Sequence, residues 1–152
     1  FQLAERFGME YVDSDGTKKY PYVIHRTSIG CYERTLALLL EKYAGALPTW
    51  LAPIQVKVLP ISDHYMEYAN SVSEELQKVG IRVEVDTRKE KIGYKIREAQ
   101  LEKVPYMLIV GEKEQAEGAV SVRDRKEGDT GSVKLNEFID TILKKVASKS
   151  KD

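Results

Sequence analysis

The chain has 152 residues, 42% of them hydrophobic and 32% charged, with 24 basic side chains against 24 acidic ones. That length suits one ordinary domain plus part of another, and the zero balance excludes a polyanion binder acting through a global basic field, leaving only a local recognition surface. No apolar run approaches the ~20 residues of a membrane span, no secretory leader opens the chain, and the single Cys31 has no internal disulfide partner, so the expectation is a cytoplasmic protein with no membrane partner.

In chain order, residues 10–12, a polar turn at 13–17 and residues 20–25 read as strand, turn and strand, with His25 closing the second strand. A two-stranded hairpin is marginal alone and calls for a larger sheet. Asp13-Ser14-Asp15-Gly16 resembles half a calcium loop, but the glycine comes early and Ile24 stands where the ligand glutamate belongs, so an ordinary turn is the simpler reading. Residues 32–44 form a helix that is apolar on nearly every side through Leu36, Leu38, Leu39 and Leu40, and such a helix expects burial all round. Residues 1–50 therefore read as the tail of a larger domain. Gly45, Pro48 and Pro53 around Trp50 mark a junction, and 51–152 is a second domain.

The second domain is regular. Residues 54–61 form a β-branched strand; Ser62 or Asp63 caps a helix with Tyr65, Ala69, Val72, Leu76 and Val79 on one face, and Gly80 stops it. Residues 81–85 alternate as a strand, 93–103 form a helix, 106–110 a buried strand, and 119–123 another. Gly128 to Gly131 reads as a turn, and a last helix carries Leu135, Phe138, Ile139, Ile142, Leu143 and Val146 on one stripe. The order implies an α/β fold: a mixed, mostly parallel central sheet of about five strands with three flanking helices, preceded by the β-hairpin and helix. Ligands of such sheets sit beyond the carboxyl ends of the strands, which here lead into residues 86–91 and 111–114.

Gly128-Asp129-Thr130-Gly131 lacks the end of a phosphate loop, and no G-x-G-x-x-G or G-x-S-x-G pattern is present. His25 alone falls short of the three or four donors of a zinc site. Gly30-Cys31-Tyr32-Glu33-Arg34 places an arginine one turn into a helix after a tight turn, where it reaches a phosphate or simply pairs with Glu33. Residues 78–103 hold eight basic side chains against five acids, and Arg88, Lys89 and Lys91 occupy a strand-to-helix loop suited to phosphate, or to plain solvation. Gly111-Glu112-Lys113-Glu114 offers acceptors and donors at a strand end.

Several of these stretches together resemble the threonyl-tRNA synthetases, class II enzymes that join threonine to its tRNA. They are Ile24-His25-Arg26, Gly30 with Glu33-Arg34, Tyr43-Ala44-Gly45-Ala46, Pro48-Thr49-Trp50-Leu51-Ala52-Pro53, residues 90–98, Val104-Pro105-Tyr106-Met107 and Val110 to Glu114. The resemblance implies a catalytic-domain remnant (motif 3 region) in 1–50 and a class IIa anticodon-binding domain in 51–152. It makes His25 one of three zinc ligands, the others lying outside this chain, and Arg34 the motif 3 arginine on the ATP triphosphate, in an incomplete site. Cys31 departs from the serine often found there. The resemblance further implies RNA contacts at Arg97, Glu114 and Arg123, with Arg88, Lys89, Lys91 and Lys113 beside them. Lys89 stands where some relatives have Asn, so a base hydrogen bond there gives way to a phosphate contact.

The implied parent uses zinc, and ATP with magnesium, and is a homodimer through its catalytic domain. The present chain on its own is expected to hold none of these cofactors, and to bind the anticodon stem-loop of tRNA(Thr) without catalysis. Two other readings stand beside it: a small-molecule-binding or regulatory α/β module with no RNA role, and a scaffold or dimer contact through the Leu36–Leu40 helix.

Overall fold

A computed structural model describes residues 3–151. The chain divides into two compact units, Phe1–Leu36 and Ala37–Asp152. In the first unit, α1 (Leu3–Arg6) precedes a hairpin of β1 (Tyr11–Val12) and β2 (Lys18–Lys19), paired antiparallel with Tyr11 opposite Lys19. The turn between them consumes its own carboxylates. Lys19 donates to Asp13 and, at 3.0 Å, to Asp15, while the Thr17 amide and hydroxyl donate to Asp15 at 2.9 and 2.6 Å. Gly16 adopts φ +79°, the left-handed conformation the reversal needs. This is the ordinary turn.

The second strand differs from expectation. Pairing ends at Lys19, and residues 20–25 carry no ladder. The tight turn fixes Lys18–Lys19 opposite β1, which is two residues long, so nothing is left to pair with the apolar run beyond. Tyr22 and Ile24 are 84% and 90% exposed, and His25 lies in irregular chain rather than at a strand end. Helix α2 (Tyr32–Lys42) forms but buries none of its residues. Apolar composition makes a helix want burial; a facing surface has to supply it, and the described residues supply none.

The second unit holds β3 (Val56–Pro60), a 3-10 turn at Asp63–Tyr65, α3 (Met66–Lys78), β4 (Val83–Val85), α4 (Ile92–Leu101), β5 (Tyr106–Val110), α5 (Glu112–Glu117), β6 (Ala119–Asp124), β7 (Gly128–Lys134) and α6 (Leu135–Ser148). Its five-stranded sheet runs β4-β3-β5-β6-β7. The first three strands are mutually parallel, and β6 and β7 add antiparallel. The Gly128–Gly131 segment is thus the start of an edge strand rather than a turn. A bulge between Val122 and Arg123 lets β7 skip Thr130, and Gly131 takes φ +91°. Helix α5 is an unanticipated short element in the polar segment after β5, closed by Gly118 at φ +60°.

Period-two alternation sorts the core into two layers. Val56, Val58, Tyr106, Leu108 and Val122 face α3 and α6, meeting Val72, Leu76, Phe138 and Ile142. Leu59 and Met107 face the other way, onto Ala99 of α4, with Ile92 and Ile96 beside them. The base of this unit is tied by polar bonds. Arg82 donates to the Trp50 and Ala52 carbonyls (2.8–3.0 Å), and Gln55 bridges the Thr49 carbonyl and the Arg82 amide at 2.9 Å each.

Candidate nucleic-acid interface

Three parallel strands deliver their following segments to one edge of the sheet: the 3-10 turn after β3, residues 86–91 after β4, and Gly111 with α5 after β5. Arg88, Lys89, Lys91, Lys113 and Glu114 all lie there. Their circumstances differ. The Arg88 guanidinium is held two-pronged by Asp86, at 3.0 Å from Nε and 2.6 Å from Nη2, and the Arg88 amide donates to the same carboxylate at 3.0 Å. These bonds from Arg88 hold the Asp86 carboxyl below the usual range against the burial that opposes them, and Asp86 in turn raises the Arg88 pKa further. Lys89 pairs with Asp63 at 3.1 Å, both largely exposed, a contact of the kind that exchanges readily for a phosphate. Lys91 is the N-cap residue of α4 and is exposed. Lys113 is exposed on α5.

Glu114 is half-buried, and both its oxygens are already engaged. One accepts from the Gly111 amide at 3.1 Å and the other from the Ser121 hydroxyl at 2.7 Å. That clamp fixes the first turn of α5 to β6. Nearby, burial raises the Tyr68 phenol pKa, aided by the Glu114 charge, while its hydroxyl donates to the Ala119 carbonyl at 2.8 Å. Gly111 is closely approached, since a Cβ there would lie 2.6 Å from Ile61 Cδ1 and 3.2 Å from Glu114 Oε2 and would have to displace the ends of those two side chains.

Arg97 and Arg123 stand away from this edge. Arg123 on β6 sits opposite Met107 of β5, so it shares the α4 face of the sheet with Met107. The hydrophobic contacts of α4 on that face are with Leu59, Met107 and Ile109, on β3 and β5. The β6 part, with Ser121 and Arg123, is only half-buried. The Arg123 Nε is buried and finds no hydrogen-bond partner among the described residues. Such an orphaned donor costs stability unless a ligand or water meets it. Arg97 is exposed on α4.

Three further residues at this edge were not singled out from the sequence as site residues. Asp86, Tyr94 and Lys95 sit inside the basic segment, where charge counting hides them. Lys95 is 2% exposed, and its ammonium donates to the carbonyls of Pro60 (3.1 Å) and Asp86 (3.4 Å), knitting α4 to the ends of β3 and β4. The local signal available was an acid two residues before an arginine at a strand end.

His25 and Arg34 are both exposed, in the first unit. Among the described residues no group of three or more His, Cys, Asp or Glu side chains converges on one point. A single imidazole is short of what a zinc ion takes, so the residues of this chain alone do not fit that ion. No described helix is long and apolar enough to cross a membrane. On the opposite face of the sheet, a cavity of about 340 Å³ is lined by Tyr106, Val122 and Phe138, with Asp124, Glu137 and Lys145 among its polar lining.

The model of the anticodon binding domain family matches residues 55–145. The threonine–tRNA ligase of Clostridium perfringens (strain SM101 / Type A) is 64% identical over 149 residues, 98% of this chain and 23% of the ligase. That of Clostridium botulinum (strain Eklund 17B / Type B) is 62% identical over 151 residues, 99% of this chain and 24% of the ligase. The chain thus spans about a quarter of the length of these curated relatives. Among solved structures, the RNA binding domain of threonyl-tRNA synthetase from Cryptosporidium parvum Iowa II superposes with a TM-score of 0.75 at 38% identity, over 95% of this chain and 37% of that one.

Proposed function

The chain belongs to the anticodon binding domain family, and from that premise we propose that it is the anticodon-reading part of a threonine–tRNA ligase, the cytoplasmic enzyme that activates threonine with ATP and transfers it to tRNA. Residues 51–152 contact the anticodon stem-loop of tRNA(Thr), and residues 1–50 belong to the catalytic body, where His25 and Arg34 contribute to zinc and triphosphate sites completed elsewhere in a homodimeric enzyme. The observation that carries the RNA assignment is Arg123, a cationic side chain on a half-open sheet face whose buried Nε has no partner among the described residues. It is accompanied by Arg97 on the neighbouring helix and by Glu114, held rigid by Gly111 and Ser121. A fixed acceptor beside a basic strand-to-helix loop, with cations on the adjoining sheet face and helix, suits unstacked loop bases, the usual targets of sequence-specific RNA recognition.

The test is binding of this chain to a threonine anticodon stem-loop across a salt series, with a swapped-anticodon loop as control. The expected result is preference for the threonine loop, lost in Glu114→Ala and Arg123→Ala at a cost of roughly tenfold or more each. Equal weak binding to both loops means electrostatic attraction without reading. The regulatory-module reading has one observation in its favour, the cavity beside Phe138; no RNA binding at low salt would turn the assignment toward it.

A further inference from the structure

Arg88 invites a plain interpretation as a phosphate clamp, and its hydrogen bonds argue against that. The side-on edge of its guanidinium, Nε with Nη2, is spent on Asp86, which leaves a phosphate only the end-on edge. The carboxylate opposite also neutralises the charge a phosphate would seek. Asp86 is not a casual partner: its side chain is 1% exposed, its oxygen also takes the Arg88 amide, and its own carbonyl receives the buried Lys95 ammonium. The guanidinium is therefore a plane fixed in orientation at the carboxyl edge, on a side chain that stays 42% exposed. Its Cζ lies 5.7 Å from the centre of the ring of Tyr94, a residue 47% exposed, at cation–π range. Two adjoining flat groups, one pinned and both open to solvent, make a stacking surface.

We infer that Arg88 and Tyr94 form a stacking platform for one splayed nucleobase of a bound RNA loop, and that Asp86 is the positioning residue that holds the platform flat. This rests on the RNA-binding reading above and specifies how one part of that site engages its partner. A pinned guanidinium loses little rotamer entropy on binding, and every base offers a π-face, so the contact contributes affinity rather than sequence choice.

Three chains are compared, wild type, Arg88→Lys and Asp86→Asn, against threonine anticodon stem-loop RNAs carrying 2-aminopurine at each loop position in turn. Affinity, salt dependence and 2-aminopurine fluorescence are read for each, and thermal unfolding checks folding. The wild type quenches one loop position on binding. Arg88→Lys keeps the charge and loses the plane: it abolishes that quench and weakens binding roughly tenfold, with an unchanged salt slope. Asp86→Asn removes a negative charge beside the RNA and still weakens binding, the opposite of what simple electrostatics gives. Arg88→Lys is at an exposed position and decides the matter even where Asp86→Asn does not fold. Overturning results are an Arg88→Lys chain with affinity within about twofold of wild type and the same quench, or tighter binding by a folded Asp86→Asn. A wild type that binds no loop at low salt removes the RNA reading itself, and the platform with it.

Discussion

Asp86 shows how much a single buried carboxylate organises. It bonds the Arg88 side chain and amide, and lies in the field of Lys95. Because its pKa is depressed in the folded chain, the associated stability is fully present above the ordinary carboxylate value near pH 4 and is lost as pH falls through the lower folded value. Asp86→Asn is expected to cost about 1–3 kcal/mol at pH 7 and to flatten the acid limb of the stability profile below about pH 4, measured by urea unfolding across pH. An unchanged acid limb would show that Asp86 does not titrate with folding. Sequence reading finds Arg88 and Lys89 and passes over Asp86, because an acid among eight basic side chains looks like charge balance. Burial gave it its role, and burial at that point depends on where β4 ends, beside Lys95 of α4.

Individual elements are joined by similar devices. Lys57 on β3 is 3% exposed and donates to Glu102 at 2.5 Å and Glu84 at 3.1 Å, linking the end of α4 and strand β4. Burial works against its charge, but the two glutamates outweigh it and raise the pKa, so its contribution is intact below the ordinary lysine value and fades only above it. Both glutamates are nearly half exposed and recover water when the lysine is removed. Lys57→Met, which keeps the apolar stem, is therefore expected to cost at most about 1–2 kcal/mol, and Lys57→Ala, which opens a cavity, about 2–4 kcal/mol. Urea midpoints of the two variants check the order, and equal losses would place the stability in the ion pairs instead.

The elements of strong period were legible in sequence: β3, α3, β5 and α6 fall where their apolar spacing puts them. The exceptions share a cause. Strand β7 has two glycines and polar neighbours and owes its form to pairing with β6, and α5 owes its start to the Glu114 clamp. Neither long-range pairing nor a side-chain clamp leaves a local periodic signature.

At the scale of the whole chain, the charge balance matters most. With 24 acids against 24 bases, the chain has no global basic field to steer RNA, and in the proposed site phosphate contacts fall to the few basic residues around the carboxyl edge and the α4 face. The logarithm of the binding constant is expected to fall with the logarithm of salt at a slope no steeper than about −4, a handful of phosphate contacts. A steeper slope in a stem-loop titration would reveal a basic surface beyond the residues named here. The gathering of the strand-end segments at one edge was legible because sheet topology dictates it: parallel strands send their loops to one edge. The division into edge residues and face residues was not, since it follows from the antiparallel register that sets Arg123 beside Met107.

The bulged strand β7 has an implication for how this sheet meets copies of itself. An outermost strand offers half its amides and carbonyls to any passing chain, and a flat, regular one invites self-templated growth into fibres. Here the skip at Thr130 and the left-handed Gly131 break the repeat that a second strand would need, while Asp129 and Lys134 make apolar apposition costly. At the far side β4 is three residues long, too brief a template to propagate. The irregularity that hides β7 from sequence patterns thus also makes it a poor template for edge-to-edge pairing with a second copy.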